Sequence, residues 1–149
     1  MALRNIRYEG DEILRKKSRE VTAIDDRIRT LMNDMVETMY ENEGVGLAAP
    51  QVGILKRIVV IDVEDGNVYK MVNPKIIKKS GEQTGQEGCL SVPEKKGIVK
   101  RPMNVTVEYT NENGEVVKMD GEGILARAIC HEVDHLNGVL FTDRVEKRS

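Results

Sequence analysis

No apolar run in this sequence approaches the roughly 18 residues that a membrane-crossing helix needs. The opening stretch MALRNIRYEGDEILRKK lacks the apolar segment of a secretory signal, and its early acidic residues argue against an organelle transit peptide. An excess of charge is missing too. The 23 basic residues face 25 acidic ones, a formal net charge of −2. Nucleic-acid binding favours a basic, high-pI surface, so this balance leaves no electrostatic footprint for it. The local basic clusters RKKSR and EKKGIVKR read as solvated faces. No Walker-type phosphate loop, internal repeat, low-complexity tract or long linker is present. What remains is a chain expected in the cytoplasm, off the membrane, as a single domain over residues 1–149. That length, with 40% apolar residues, suffices for a core of ordinary size.

Histidine and cysteine are scarce, two of each, and their placement carries the chemistry. Both histidines lie in CHEVDHLNGVLF, Cys130 to Phe141. Residues four apart on an α-helix share a face, so His131 and His135 can address one ion. Glu132 lies about 60° around the helix from His135 and can reach water at the ion without ligating it. HExxH on a helix points to a metal-dependent hydrolase, which needs a third protein ligand. The metzincin continuation HExxHxxGxxH fails here, because Phe141 stands where its third histidine belongs. A thermolysin-type glutamate on a later helix fails as well. Only Thr142 to Ser149 follow, too short a tail to put Glu146 on a second helix.

The third ligand is therefore expected upstream. Cys130 points about 100° away from its neighbour His131 and reads as a small buried apolar residue. Cys89, in GQEGCLSVPE, sits among Gly85, Gly88 and Pro93, a loop or bulge able to approach the helix. Cys89, His131 and His135 would then form a three-ligand site with the fourth position open to water, as a catalytic site requires. In a reducing compartment a metal or catalytic role suits a cysteine better than a disulfide. Two alternatives stay open: a general HExxH metallopeptidase, and a structural zinc module. The second needs a fourth ligand from Cys130 and leaves Glu132 unused.

The stretch DDRIRTLMNDMVETMYENEG predicts a helix capped by Asp25 or Asp26 and ended near Gly44. Its apolar stripe is Ile28, Leu31, Met32, Met35, Val36 and Met39. RIVVIDV (Arg57–Val63) and VYKMVN predict strands joined at the Asp65-Gly66 turn, and KIIKKS predicts another. NVTVEYT and EVVKM predict a hairpin about Asn113-Gly114. GEGILARAICHEVDHLNG predicts the second helix, with Gly138 as its C-terminal cap and an apolar wall from Ile124 and Ala128 beside the metal. The expected fold is α+β, with antiparallel or mixed sheets packed around the HExxH helix.

Three motifs then converge. GVGLAAPQ (Gly44–Gln51), EGCLS (Glu87–Ser91) and HEVDH (His131–His135) closely resemble, in order and spacing, the three motifs of bacterial peptide deformylase. The resemblance covers essentially the whole chain. It implies Cys89, His131 and His135 as metal ligands, Glu132 as acid–base, and Gln51 with the Leu90 backbone N–H as oxyanion donors. It implies Val45 and Gly46 as the stretch that pairs with substrate backbone, and N-formylmethionyl nascent peptides as substrate. It also implies Fe²⁺ in the cell, with Zn²⁺, Ni²⁺ or Co²⁺ able to substitute. Val45, Ile124 and Ala128 are candidates for the methionine pocket, and a large residue at Ala128 is expected to raise KM. Glycines in GVGLAAPQ allow positive φ and close backbone approach. Departures from the family pattern are Cys130, where glutamine is usual, and Lys96, which lacks the planar fork of the arginine found in many relatives. Glu87 and Arg101 are expected to pair behind the site. Some relatives dock on the ribosome through a C-terminal helix. That route is not expected here, leaving only transient ribosome proximity.

Overall fold

The computed structural model describes residues 2–146. Among these residues two α-helices, α1 (Asp26–Glu41) and α2 (Ile124–Leu136), accompany seven strands. These are β1 (Gly46–Ala48), β2 (Ile58–Ile61), β3 (Tyr69–Ser80), β4 (Gln83–Cys89), β5 (Val92–Arg101), β6 (Asn104–Thr110) and β7 (Val116–Glu122). One sheet runs β1-β2-β3-β6-β7 and the other is the β4–β5 pair. Among the described residues every strand pairing is antiparallel, and parallel geometry occurs only in an isolated bridge between Arg19 and Lys56. Helix α2 touches strands of both sheets, including β1, β2, β7 and β5. Among the described residues no helix is long and apolar enough to cross a membrane.

Strand β2 shows why a short β-branched run belongs at the centre. All four of its residues are fully buried. Alternate side chains face opposite ways. Val59 and Ile61 pack with Ala126, Ile129 and Leu136 of α2, while Ile58 and Val60 pack with Leu31, Met35 and Met39 of α1. Covering both faces replaces the usual polar alternation with a continuous apolar run. Each such burial contributes about 1.5–3 kcal/mol. Helix α1 starts where Asp25 accepts the Ile28 N–H at 3.0 Å. It buries the expected stripe except Val36, which is partly covered.

Several elements differ from the sequence expectation. VYKMVN and KIIKKS are one strand, β3, bent at Asn73, whose φ of 52° coincides with a register shift between Val72 and Lys75. Pro74 has no N–H to give the ladder there, as a bulge tolerates. The Asn73 side chain holds the bend by two 2.8 Å hydrogen bonds with the Val21 backbone. Strand β7 runs on to Glu122, so α2 begins only after Gly123. Gly138, φ 76°, ends it as predicted. Phe141, the one phenylalanine, is buried with Leu14, Val92, Val99 and Leu140 and stacks 6.1 Å from the His131 ring. The position that would bear a third histidine in a metzincin is part of the packing behind His131.

Candidate metal centre

The Cys89 thiol and the His131 and His135 imidazoles offer ligand atoms that all lie within 4.8 Å of one another. Cys89 ends β4 and pairs with Val92, leaving Leu90 and Ser91 as a two-residue turn. The next pairing is Glu87 with Gly97. Pro93 to Lys96 therefore bulge out of β5 opposite the single residue Gly88, and this throws the turn toward α2. Cys89 Sγ stands 3.3 Å from His135 Nε2. His131 Nδ1 faces Glu87 Oε1 at 2.9 Å, which leaves Nε2 as its free ligand atom. Cys130 lies instead in the apolar cluster between α2 and the large sheet, where burial pushes its thiol pKa up.

The donor chemistry, one cysteine sulfur and two imidazoles, fits a borderline divalent cation. Buried Glu132 Oε1 has no hydrogen-bond partner among the described residues. Burial drives the Glu132 carboxyl up to about 7 against the pull of His131. Burial also opposes charge on His131, but Glu132, Cys89 and Glu87 outweigh it and raise that pKa to about 10. His135 is pushed well down by burial and by the nearby His131. A cation among these donors reverses the preference for protonated imidazole, because it needs the same lone pairs.

Gln51 belongs to the 3₁₀ turn Ala49–Val52 that follows β1, and it is fully enclosed. Its Oε1 accepts from the Ala48 N–H at 2.9 Å. Its Nε2 donates to Ser91 Oγ at 3.0 Å and lies 3.5 Å from Cys89 Sγ. The amide nitrogen thus sits beside the donor set in a fixed orientation. The preceding glycines serve proximity rather than left-handed backbone, for neither Gly44 nor Gly46 has a positive φ. A Cβ on Gly46 would collide with Glu132 Oε2, and one on Gly44 would meet Leu90 Cδ1 at 2.7 Å. Strand β1 is at the sheet edge, with the Val45 carbonyl accepting from the Asp62 N–H at 2.9 Å. Gln51, Cys89, Leu90, His131, Glu132 and the stretch 44–46 border one cleft of about 830 Å³, with His135 buried against Cys89.

Residues 3–149 match the polypeptide deformylase family. The chain belongs to that family. A peptide deformylase of Alkaliphilus metalliredigens is 58% identical over 147 residues, 99% of each chain. The crystal structure of the Thermotoga maritima peptide deformylase, 42% identical, has a TM-score of 0.95 and covers 99% of this chain and 100% of that one. A class I type b peptide deformylase from Acinetobacter baumannii, 38% identical, was solved with Met-Ala-Ser bound. Its TM-score is 0.92 over 97% of this chain and 99% of that one. Membership makes the chain a hydrolase, and the α+β expectation stands.

Behind the deformylase cleft, Glu87 and Arg101 pair as expected, but as part of a buried network rather than a surface pair. Arg101 Nε and Nη2 each reach Glu87 at 2.9 Å, and its Nη1 reaches Asp134 at 2.7 Å. Asp134 also binds Arg144, at 2.6 and 3.0 Å. Burial opposes the charge on Glu87, yet Arg101 and His131 hold its carboxyl far below the usual carboxylate range. Sequence reasoning missed Arg127, Asp134 and Ser91. Arg127 was accessible from spacing, four residues before His131, whereas Ser91 gave no signal of its own. Arg127 also corrects the apolar wall. Ala128 is buried, but Ile124, at the helix start, is 60% exposed at the rim, and the Arg127 guanidinium lines the cleft with them. Lys96 lies on the β5 bulge at the cleft, beside the Lys95–Glu9 ion pair.

Proposed function

We propose that this chain is a metal-dependent deformylase that removes the N-formyl group from the terminal methionine of newly made polypeptides in the cytoplasm, releasing formate. The observation that carries the reading is the meeting of Cys89, His131 and His135, with the unpartnered Glu132 carboxylate and the Gln51 amide sharing one cleft with Cys89 and His131. Cys89, His131 and His135 would hold the ion, Fe²⁺ by family resemblance, with Zn²⁺, Ni²⁺ or Co²⁺ as substitutes. When bound, the ion supplies positive charge that polarises the carbonyl and lowers the pKa of water from 15.7 toward ~7.

The chain's own groups do the rest. Glu132 takes the proton from water as it attacks the formyl carbon, then delivers it to the departing amine. A carboxyl raised by burial suits both halves of that transfer. The Gln51 Nε2–H and the Leu90 N–H donate to the carbonyl oxygen as its charge grows, and loss of one such donor costs about 10²–10³ in rate. Val45 and Gly46 lay the substrate backbone along the free edge of β1. Gly46 brings it against Glu132, where a formyl carbon bearing only hydrogen fits. Ala128, Ile124 and Val45 contribute the apolar part of the methionine pocket. The nascent chain also implies transient proximity to the ribosome.

The test is anaerobic incubation of metal-loaded chain with formyl-Met-Ala-Ser, with products resolved by mass. Formate plus intact Met-Ala-Ser is expected. Cleavage at a peptide bond would favour the general metallopeptidase, and no product at all would favour the structural zinc module.

A further inference from the structure

Arg127 has no part in the chemistry above, yet it lies in the cleft. It follows Ile124 by three residues and precedes His131 by four, so the three share one face of α2. Its side chain is 13% exposed. Its Nη1 is committed to the protein, donating to Glu87 Oε2 at 2.6 Å, Val99 O at 3.2 Å and Gly85 O at 3.4 Å. No described residue accepts from Nε or Nη2. Gly85 leaves room for the guanidinium, since a Cβ there would stand 3.1 Å from Nη2. The fork is anchored at one nitrogen and keeps its other N–H groups for a ligand.

A wall meant only for a thioether has no use for such donors, because sulfur in that state is a weak acceptor. Oxidation turns the methionine side chain into a polar, chiral one whose oxygen is a strong acceptor. We infer that Arg127 sets specificity at the first side chain, donating to that oxygen, so that the enzyme deformylates N-formylmethionine sulfoxide as well as N-formylmethionine. The inference rests on the deformylase reading. The bond broken is the same formyl amide, water is the same co-reactant, and the sulfoxide leaves unreduced in the peptide product. Because the donors sit on one wall, the two sulfoxide epimers are used unequally.

The experiment compares kcat/KM for formyl-Met-Ala-Ser and its sulfoxide, anaerobically, in wild type and Arg127→Leu. In wild type the sulfoxide is expected within ~10-fold of the thioether. In Arg127→Leu the sulfoxide-to-thioether ratio is expected to fall a further ~10-fold or more, the weight of one hydrogen bond to a charged donor. Arg127 also holds Glu87, so both absolute rates drop in the variant, and the ratio cancels that loss. Equal ratios in the two enzymes overturn the inference. So does a sulfoxide penalty beyond ~100-fold in wild type, the mark of a pocket that strips water from the oxygen without replacing it. That second criterion stands even if the variant does not fold. Wild type inactive on both peptides removes the deformylase reading, and this inference with it.

Discussion

Gly46 is small because Glu132 stands against it, not because its backbone is unusual. Adding one methyl should therefore displace the carboxylate and leave the strand pairing of β1 in place. Gly46→Ala is expected to lower kcat by up to ~10²-fold, the scale of a 1 Å misplacement, with the melting temperature little changed. Full activity in that variant would mean Glu132 is not held where the mechanism needs it. Glu87 carries the second residue-scale prediction. It receives two arginines and His131, and removing one partner of a buried ion pair leaves the other unpaired, at about 3–5 kcal/mol. Arg101→Ala should show that loss in urea unfolding. Glu87→Gln should weaken metal binding by roughly 10–100-fold in a chelator competition, because it loosens the orientation of His131. Unchanged affinity would confine Glu87 to stability. Spacing alone made the two histidines legible. The glycine's reason was legible only in part, since the carboxylate it admits comes from 86 positions away in the chain.

At the scale of elements, α2 separates two adjacent residues by direction. His131 faces the donor set while Cys130 packs into the core with Ile129 and Leu136. Buried, with its thiol pKa raised, Cys130 is a poor thiolate. Cys130→Ala is thus expected to keep the parent's metal content and its rate of activity loss in air. A change in either would put the thiol in contact with the site. The helices, β2 and the β6–β7 hairpin were readable because their periodicity or turn signals are local. Strands β4 and β5 were not. QTGQEGC and VPEKKGIVKR show little apolar alternation. They hold together by pairing with each other and by the cluster around Phe141, contacts that no short window contains.

Across the whole molecule, the N-terminal segment ties α1 to the cleft. The Arg7 N–H donates to Gln51 O at 2.7 Å and the Glu9 N–H to Ser91 O at 2.8 Å, so this segment braces both turns that border the site. Its far end is fixed on Asp34, which accepts from the Ala2 N–H and from Arg4. Burial disfavours the Asp34 carboxylate, but the Ala2 N–H and Arg4 prevail and hold its pKa below the ordinary value. A lowered folded pKa means the contribution is complete above the unfolded value of ~3.9 and is lost as pH falls through the folded one. Asp34→Asn should melt below wild type at pH 7, with the two curves converging as pH drops below ~4. A constant gap down to pH 3 would contradict that linkage. None of this tether was visible in sequence, where Arg4 and Asp34 are ordinary surface-type residues 30 positions apart. The most direct measurement of the ion and its base together is formate release from formyl-Met-Ala-Ser by anaerobically loaded wild type and Glu132→Gln, with metal counted in both. One ion per chain in each, and a rate ~10²–10⁴-fold lower in the variant, is the predicted result. Loaded wild type that releases no formate, or a variant as fast as wild type, would contradict the account.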